Sequence, residues 1–143
     1  MRTAILIVST AVSQRTRPDQ SGAVLAAQAE QSGCRVEGME VVPHDFALIE
    51  DRLTHFMEEG CELILTAGGA GDSPEHVTPE ATQAVIERET PGIPEAMRSR
   101  DRGLLLFRGV SGLAGSTLIV NLPGSPDAAQ RAFGAIAPLL ARA

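Results

Sequence analysis

The chain has 143 residues, 43% hydrophobic and 21% charged, with a formal net charge of −6. This composition excludes a disordered chain, suits one domain with a full core, and argues against nucleic acid as a general partner, since phosphate binding of that kind shows as a basic excess. All 12 basic residues are arginine, so the phosphate loop that ends in Gly-Lys-Ser/Thr is excluded and any phosphate clamp must use arginine or backbone N–H groups.

The first apolar run, Ala4–Ser9, is continuous and rich in aliphatic residues, which predicts a central parallel strand buried on both faces. It is too short for a signal peptide and lacks a small-residue cleavage site, and no run approaches the ~20 apolar residues of a membrane helix. The expectation is a cytoplasmic protein with no membrane partner. A polar loop, Thr10–Pro18, carries Arg15 and Arg17 and leads into a helix that ends near Ser32 before Gly33, with Asp19 or Ser21 as its N-cap. The Val-rich stretch Arg35–Val42 is the expected second strand. After Pro43, His44 or Asp45 caps a helix reaching Glu59, whose apolar face is drawn by Leu48, Ile49, Leu53, Phe56 and Met57.

Glu62–Thr66 is the expected third strand, and the strand–helix alternation with short connections predicts a doubly wound α/β domain. That strand stops in Gly68-Gly69-Ala70-Gly71. Three glycines in four positions exceed what a turn needs; they admit close backbone approach and turn N–H groups toward a ligand, as in an anion site. Pro79 to about Glu89 reads as a helix with Thr78 as N-cap, and Glu95–Arg102 as a shorter one. Gly103–Gly115 is apolar and glycine-rich with no readable period, and its lone Arg108 requires an anionic partner, a carboxylate or a ligand. Thr117–Leu122 is a further buried strand, broken by Pro123-Gly124-Ser125-Pro126, and Asp127–Ala141 closes the chain as a helix. Ligands in such folds sit beyond the carboxyl ends of the strands, so the two glycine-bearing loops should face each other across one crevice.

Other chemistries fit poorly. The glycine run is not the dinucleotide fingerprint, Ser111-Gly112 is not a nucleophile elbow, and the absence of Trp and Tyr removes the usual stacking platform for single strands. Cys34 and Cys61 lack a companion cluster and read as buried small hydrophobes, and His55 as a surface residue of its helix. At the loop edge, Asp19, Asp45, Asp72 and Glu75 could meet magnesium's need for hard oxygen ligands, and each is equally a helix cap or a solvated carboxylate. His44 and His76 could meet there as acid/base groups or bind a softer metal, and Arg15, Arg17 and Arg108 are candidates for anion contacts. A valine at Gly69 is expected to abolish ligand binding and leave the fold largely intact.

Five strings in register carry a family resemblance: Asp19-Gln20-Ser21-Gly22; Val42-Pro43-His44-Asp45; Leu65–Gly71 with Val77–Thr82; Pro91-Gly92 before Glu95-Ala96-Met97-Arg98; and Asn121–Pro126. Together they resemble the molybdopterin-binding domain of the MogA/MoaB type. The resemblance implies one three-layer α/β domain over residues 1–143, a mostly parallel sheet with helices on both faces, assembled as trimers or hexamers and binding molybdopterin. In the MogA-like branch it implies transfer of AMP from Mg-ATP to the pterin's terminal phosphate. Carried onto this chain, Gly68, Gly69, Ala70 and Gly71 form the phosphate or pterin loop, with Ser21, Gly22, Thr78 and Arg108 beside it and Pro123, Gly124 and Ser125 as the facing wall. Asp45, His44 and His76 take the catalytic positions, and Asp45, Asp72 and Glu75 are the carboxylates left for magnesium. His44 stands where the adenylylating enzymes carry an aspartate, Glu75-His76 where they carry Arg-Asp, and Ala70 where they carry threonine.

Overall fold

In the computed structural model, which describes residues 1–140, six strands form one sheet in the order β2-β1-β3-β6-β5-β4. The strands are β1 (Arg2–Val8), β2 (Arg35–Val42), β3 (Leu63–Ala67), β4 (Arg88–Glu89), β5 (Ser111–Ala114) and β6 (Thr117–Leu122). β2, β1, β3 and β6 run parallel, while β5 is antiparallel to both β6 and β4. The helices are α1 (Thr10–Ser13), α2 (Gly22–Gln31), α3 (Phe46–Glu58), α4 (Thr78–Val85), α5 (Gly92–Arg100) and α6 (Pro126–Leu140). Of the closing helix expected to Ala141, that last residue lies outside the described residues.

The alternation of side chains along each strand divides the core into two layers. Ile5, Ile7, Leu63 and Leu65 point to one face and pack with Leu25 of α2, Met97 of α5 and Phe133 and Ile136 of α6. Ala4, Leu6, Val8, Ile64 and Ile119 point to the other, against Ile49, Leu53 and Phe56 of α3 and Ala81 of α4. Both faces of β1, β3 and β6 are therefore dry, as their unbroken apolar runs require, while the edge strand β2 is partly exposed, and the result is the expected three-layer α/β domain.

The differences from the expectation concentrate after Thr78. The fourth helix ends at Val85, its N-cap is Val77 rather than Thr78, and Arg88–Glu89 forms an edge strand. The unreadable stretch contains a 3₁₀ turn, Arg102–Leu104, and then β5, which returns to β6 through Gly115 at φ 59°. A two-residue strand and a hairpin whose first strand is only four residues, Ser111–Ala114, give no period to read. Gly112 has no room for a side chain, because a Cβ there would meet the Arg88 carbonyl at 2.6 Å. The predicted apolar face of α3 is narrower than expected, since Leu48 is 44% exposed, and Cys34 is only half-buried, whereas Cys61 is buried.

A buried polar network ties the sheet together. Asn121 Nδ2 donates to Thr66 Oγ1 and Thr82 Oγ1, both at 3.0 Å, while its Oδ1 accepts from the Val110 N–H at 3.1 Å. Both N–H groups of that amide and one acceptor site of its oxygen are thereby engaged, which offsets the cost of burying it. It fixes the carboxyl ends of β3 and β6 beside each other, and those ends carry the two glycine loops.

Candidate functional site

β1 leads left to β2, and β3 returns on its other side, so the order of connection reverses between β1 and β3. At such a switch point the loops part and leave a crevice above the carboxyl ends of the strands. Here it has a volume of about 580 Å³, within the range of small-molecule sites. Its lining comes from the segment after β1, the glycine loop after β3, the Pro123–Pro126 loop after β6, and Leu106 and Phe107 from the stretch that had no readable period.

Gly68 and Gly69 take φ values of 104° and 71°, where only glycine is comfortable. A Cβ on Gly68 would collide with the Val8 carbonyl oxygen, and one on Gly69 with Thr78 Oγ1 and then Val8 Cγ1 and His44 Nδ1. Gly69 is thus a packing glycine as much as a ligand-facing one. A valine there would be strained by the positive φ and would crowd Thr78, so a loss of stability is expected beside the loss of binding that the sequence predicts. The two loops do face each other: Gly68 N–H donates to the Leu122 carbonyl at 3.2 Å, and Gly124 stacks so closely on Gly68 that a Cβ on it would lie 3.0 Å from the Gly68 Cα. Ser21 joins them, its Oγ donating to the Gly124 carbonyl at 2.9 Å.

The remaining predicted residues divide into those the crevice gathers and those it does not. His44 and His76 come together, rings stacked with centroids 4.9 Å apart. The Gly71 N–H donates to His76 Nδ1 at 2.9 Å, so that nitrogen is the acceptor and the ring carries its proton on Nε2. Burial pushes the His44 pKa below its ordinary value; His76 lowers it further and Glu75 opposes the shift. His44 Nδ1 and Thr78 Oγ1 are buried with no protein partner. Gly22 starts α2 where no side chain fits, against Asp19 and Met39, and Asp19 Oδ1 accepts from the N–H groups of Ser21 and Gly22 at 3.0 Å each. Ser125 Oγ accepts from Ala128 N–H at 3.3 Å and so caps α6 while lining the crevice.

Arg108 does not reach the crevice. Its Nη1 meets Glu80 at 2.8 Å, Nε donates to the Gly71 carbonyl at 2.7 Å and Nη2 to the His76 carbonyl at 3.0 Å. The anionic partner that its sequence context demanded is the carboxylate, and the guanidinium pins the far side of the glycine loop. Thr78 lies beneath that loop, its N–H donating to the Gly69 carbonyl at 3.0 Å.

The three carboxylates predicted for magnesium are not gathered either. Asp45 Oδ1 accepts from Leu48 N–H at 3.0 Å and caps α3, and Asp72 and Glu75 are exposed outside the lining. Among the described residues no three His, Cys, Asp or Glu side chains cluster as metal ligands. Asp19 is the one carboxylate of the lining, with half its acceptors engaged by α2. Magnesium demands near-octahedral oxygen ligands, and two imidazoles beside one carboxylate do not suit it. Sequence reasoning missed Ser9, Leu106 and Phe107 as lining residues; the apolar residues after the 3₁₀ turn had no period to place them.

A family described as a probable molybdopterin binding domain matches residues 4–142. The chain is 32% identical over 143 residues to the molybdenum cofactor biosynthesis bifunctional protein of Chlorobaculum tepidum, covering 97% of this chain and 46% of that one. To the molybdopterin adenylyltransferase of Haemophilus influenzae it is 36% identical over 135 residues, 90% of this chain and 68% of the other. It spans less than half the length of the bifunctional relative and 21% of the gephyrin of Dictyostelium discoideum, to which it is 33% identical over 97% of its own length. Among solved structures, the molybdopterin biosynthesis enzyme MoaB of Thermus thermophilus superposes with a TM-score of 0.91 at 38% identity, covering 97% of this chain and 91% of that one. A molybdopterin biosynthesis protein of Mycobacterium abscessus does so at 0.93 and 34%, covering 99% and 92%.

Proposed function

This chain belongs to the family of probable molybdopterin binding domains, and from that premise we propose that its crevice binds molybdopterin in the course of molybdenum cofactor biosynthesis in the cytoplasm. The observation that carries the reading is the pairing of Gly68–Gly69 with Gly124 at the carboxyl ends of β3 and β6. Two loops that meet through glycines, beside a 580 Å³ crevice, leave backbone open to a ligand's anionic end. The molybdopterin for which several relatives are named is a ligand of that kind.

A second reading adds catalysis and is favoured by the 36% identity to the Haemophilus influenzae adenylyltransferase. In it, an oxygen of the pterin's terminal phosphate attacks the α-phosphorus of ATP; the new P–O bond forms as the bond to the β-phosphate oxygen breaks, and pyrophosphate leaves. This chain's part in such a transfer is to position both phosphates and exclude water. The ungathered carboxylates Asp45, Asp72 and Glu75 favour the first reading, a binding module, over the second. Assembly into trimers or hexamers belongs to the same proposal and is read by sedimentation.

One experiment separates the readings. Purified protein is incubated with molybdopterin and the retained pterin measured by fluorescence; Mg-ATP is then added and AMP adduct and pyrophosphate are assayed. Retention is expected, and its absence overturns the proposal. Retention without adduct, where the Haemophilus influenzae enzyme forms it, selects the binding module.

A further inference from the structure

We infer that Arg17 receives the phosphate of the crevice's ligand, and that this chain neutralises that charge with the guanidinium rather than with a divalent cation held by its own carboxylates. The inference rests on the reading of the crevice as a molybdopterin site and deepens it.

The titratable side chains of the lining are Arg17, Asp19, His44 and His76. Only Arg17 carries a permanent positive charge. Its Nη2 donates to Ser9 Oγ at 3.3 Å, and among the described residues no carboxylate oxygen lies within 4.0 Å of it; Arg15, Arg88, Arg98, Arg100 and Arg102 also lack such a partner, but none of them lines the crevice. In a chain with a net charge of −6, a cation left unpaired at the mouth of a crevice is available to a ligand.

The backbone aims it there. Arg15 takes a left-handed φ of 61°, and the Thr16 N–H and Oγ1 both donate to the Ala11 carbonyl, at 2.9 and 3.0 Å, which turns the chain back over α1 and brings Arg17 above Ser9. The neighbouring carboxylate does not compete for the guanidinium, because the Ser21 and Gly22 N–H groups hold Asp19 Oδ1 at the start of α2. A guanidinium presents a planar fork that matches two phosphate oxygens, and it needs no coordination shell. Magnesium needs one, and the carboxylates that could provide it stand apart.

The test uses the whole protein, its Arg17→Gln and Arg17→Lys variants, and two ligands, molybdopterin and phosphatase-treated molybdopterin. Each is titrated in excess EDTA and again in millimolar magnesium. Wild type should bind molybdopterin equally in both buffers, to within about twofold, and should bind the dephosphorylated form about tenfold more weakly, the loss expected for one charge-assisted contact. Arg17→Gln should bind both forms at that weaker level, and Arg17→Lys should recover part of the difference. Unchanged binding by Arg17→Gln overturns the inference, as does a tenfold loss of wild-type affinity in EDTA or equal binding of the two ligand forms by wild type. Failure of wild type to bind either form removes the crevice reading, and the inference with it.

Discussion

The two walls of the crevice are held in opposite ways. The glycine wall is fastened to distant parts of the chain: Gly68 to Leu122, Gly69 to Thr78, Ala70 to the Arg108 N–H, and Gly71 to the Arg108 guanidinium and the His76 ring. The arginine wall is fastened mainly to itself, with Gln14, Arg15 and Thr16 bonded to carbonyls of residues 10–12 and Arg17 to Ser9. Its long-range ties sit at its base, where Thr10 Oγ1 accepts from the His44 N–H at 3.1 Å and the Ser9 N–H donates to the Val42 carbonyl at 2.9 Å. A loop tied to far elements keeps its shape without a ligand and shares the stability of the fold. One whose tip is tied only to its own turn adjusts at little cost. The difference predicts that mutations on the glycine wall act through stability and those on the arginine wall through binding alone.

The harshest test is Gly68→Ala. The position combines φ 104° with a Cβ that would strike the Val8 carbonyl of β1, and backbone cannot move aside as a side chain can. Left-handed strain and overpacking together should cost about 2–5 kcal/mol, a large share of a domain's stability. Urea unfolding should show the midpoint fall with an unchanged slope. A variant as stable as wild type would mean the glycine wall is no better anchored than the other.

Arg108→Ala should cost less, about 1–2 kcal/mol. It releases the Gly71 and His76 carbonyls and the Glu80 carboxylate, but the ion pair is roughly two-fifths exposed and solvent screens it. The hydrogen bond from Arg108 holds the Glu80 carboxyl below its ordinary value of 4.5. The pair's stabilisation is therefore present above that pH and is lost as pH falls through the lowered value. In Arg108→Ala the acid limb of the stability profile should flatten by that amount. An unaltered limb would assign the clamp to its carbonyl contacts alone.

How far these walls were legible depends on what sets each. The glycine loop could be read because three glycines after an apolar strand have few other uses, and the facing loop because its strand was also an unbroken apolar run. Long-range partners could not be read: Arg108 needed an anion, but nothing local shows that Glu80 is 2.8 Å away. The same holds for Gly69, whose neighbour Thr78 is set by where α4 starts, and for Asn121, which joins three elements. The antiparallel edge was invisible because a two-residue strand and a hairpin lined by small residues carry no period. Of the two residues offered as the cap of α3, His44 and Asp45, the structure uses Asp45, and that role takes up one oxygen of the carboxylate the magnesium reading required.

A smaller effect comes from His44. Its pKa lies below 6.5 because burial disfavours the charged ring, with His76 stacked on it and Glu75 opposing. The unfolded chain therefore binds the proton more readily than the folded one, so stability is full above pH 6.5 and falls as the pH drops below it, until the folded value is passed. Melting temperatures across that range should fall more steeply for wild type than for His44→Gln. Parallel curves would place the acid sensitivity elsewhere.

The smallest expected effect is the one that separates the walls most cleanly. Arg17→Gln removes a 3.3 Å bond to Ser9 Oγ from an exposed side chain with no carboxylate partner, and Ser9 keeps its role at the start of α1, where its Oγ accepts from the Val12 N–H. Substitutions away from the core and from caps change stability by about 0.5 kcal/mol or less. The melting temperature of Arg17→Gln should therefore match that of wild type even where its affinity for a phosphate-bearing ligand drops. A clear loss of melting temperature would mean that the guanidinium supports the turn it sits on. In that case the two walls would differ only in degree, and weakened binding by the variant would no longer identify Arg17 as a ligand contact.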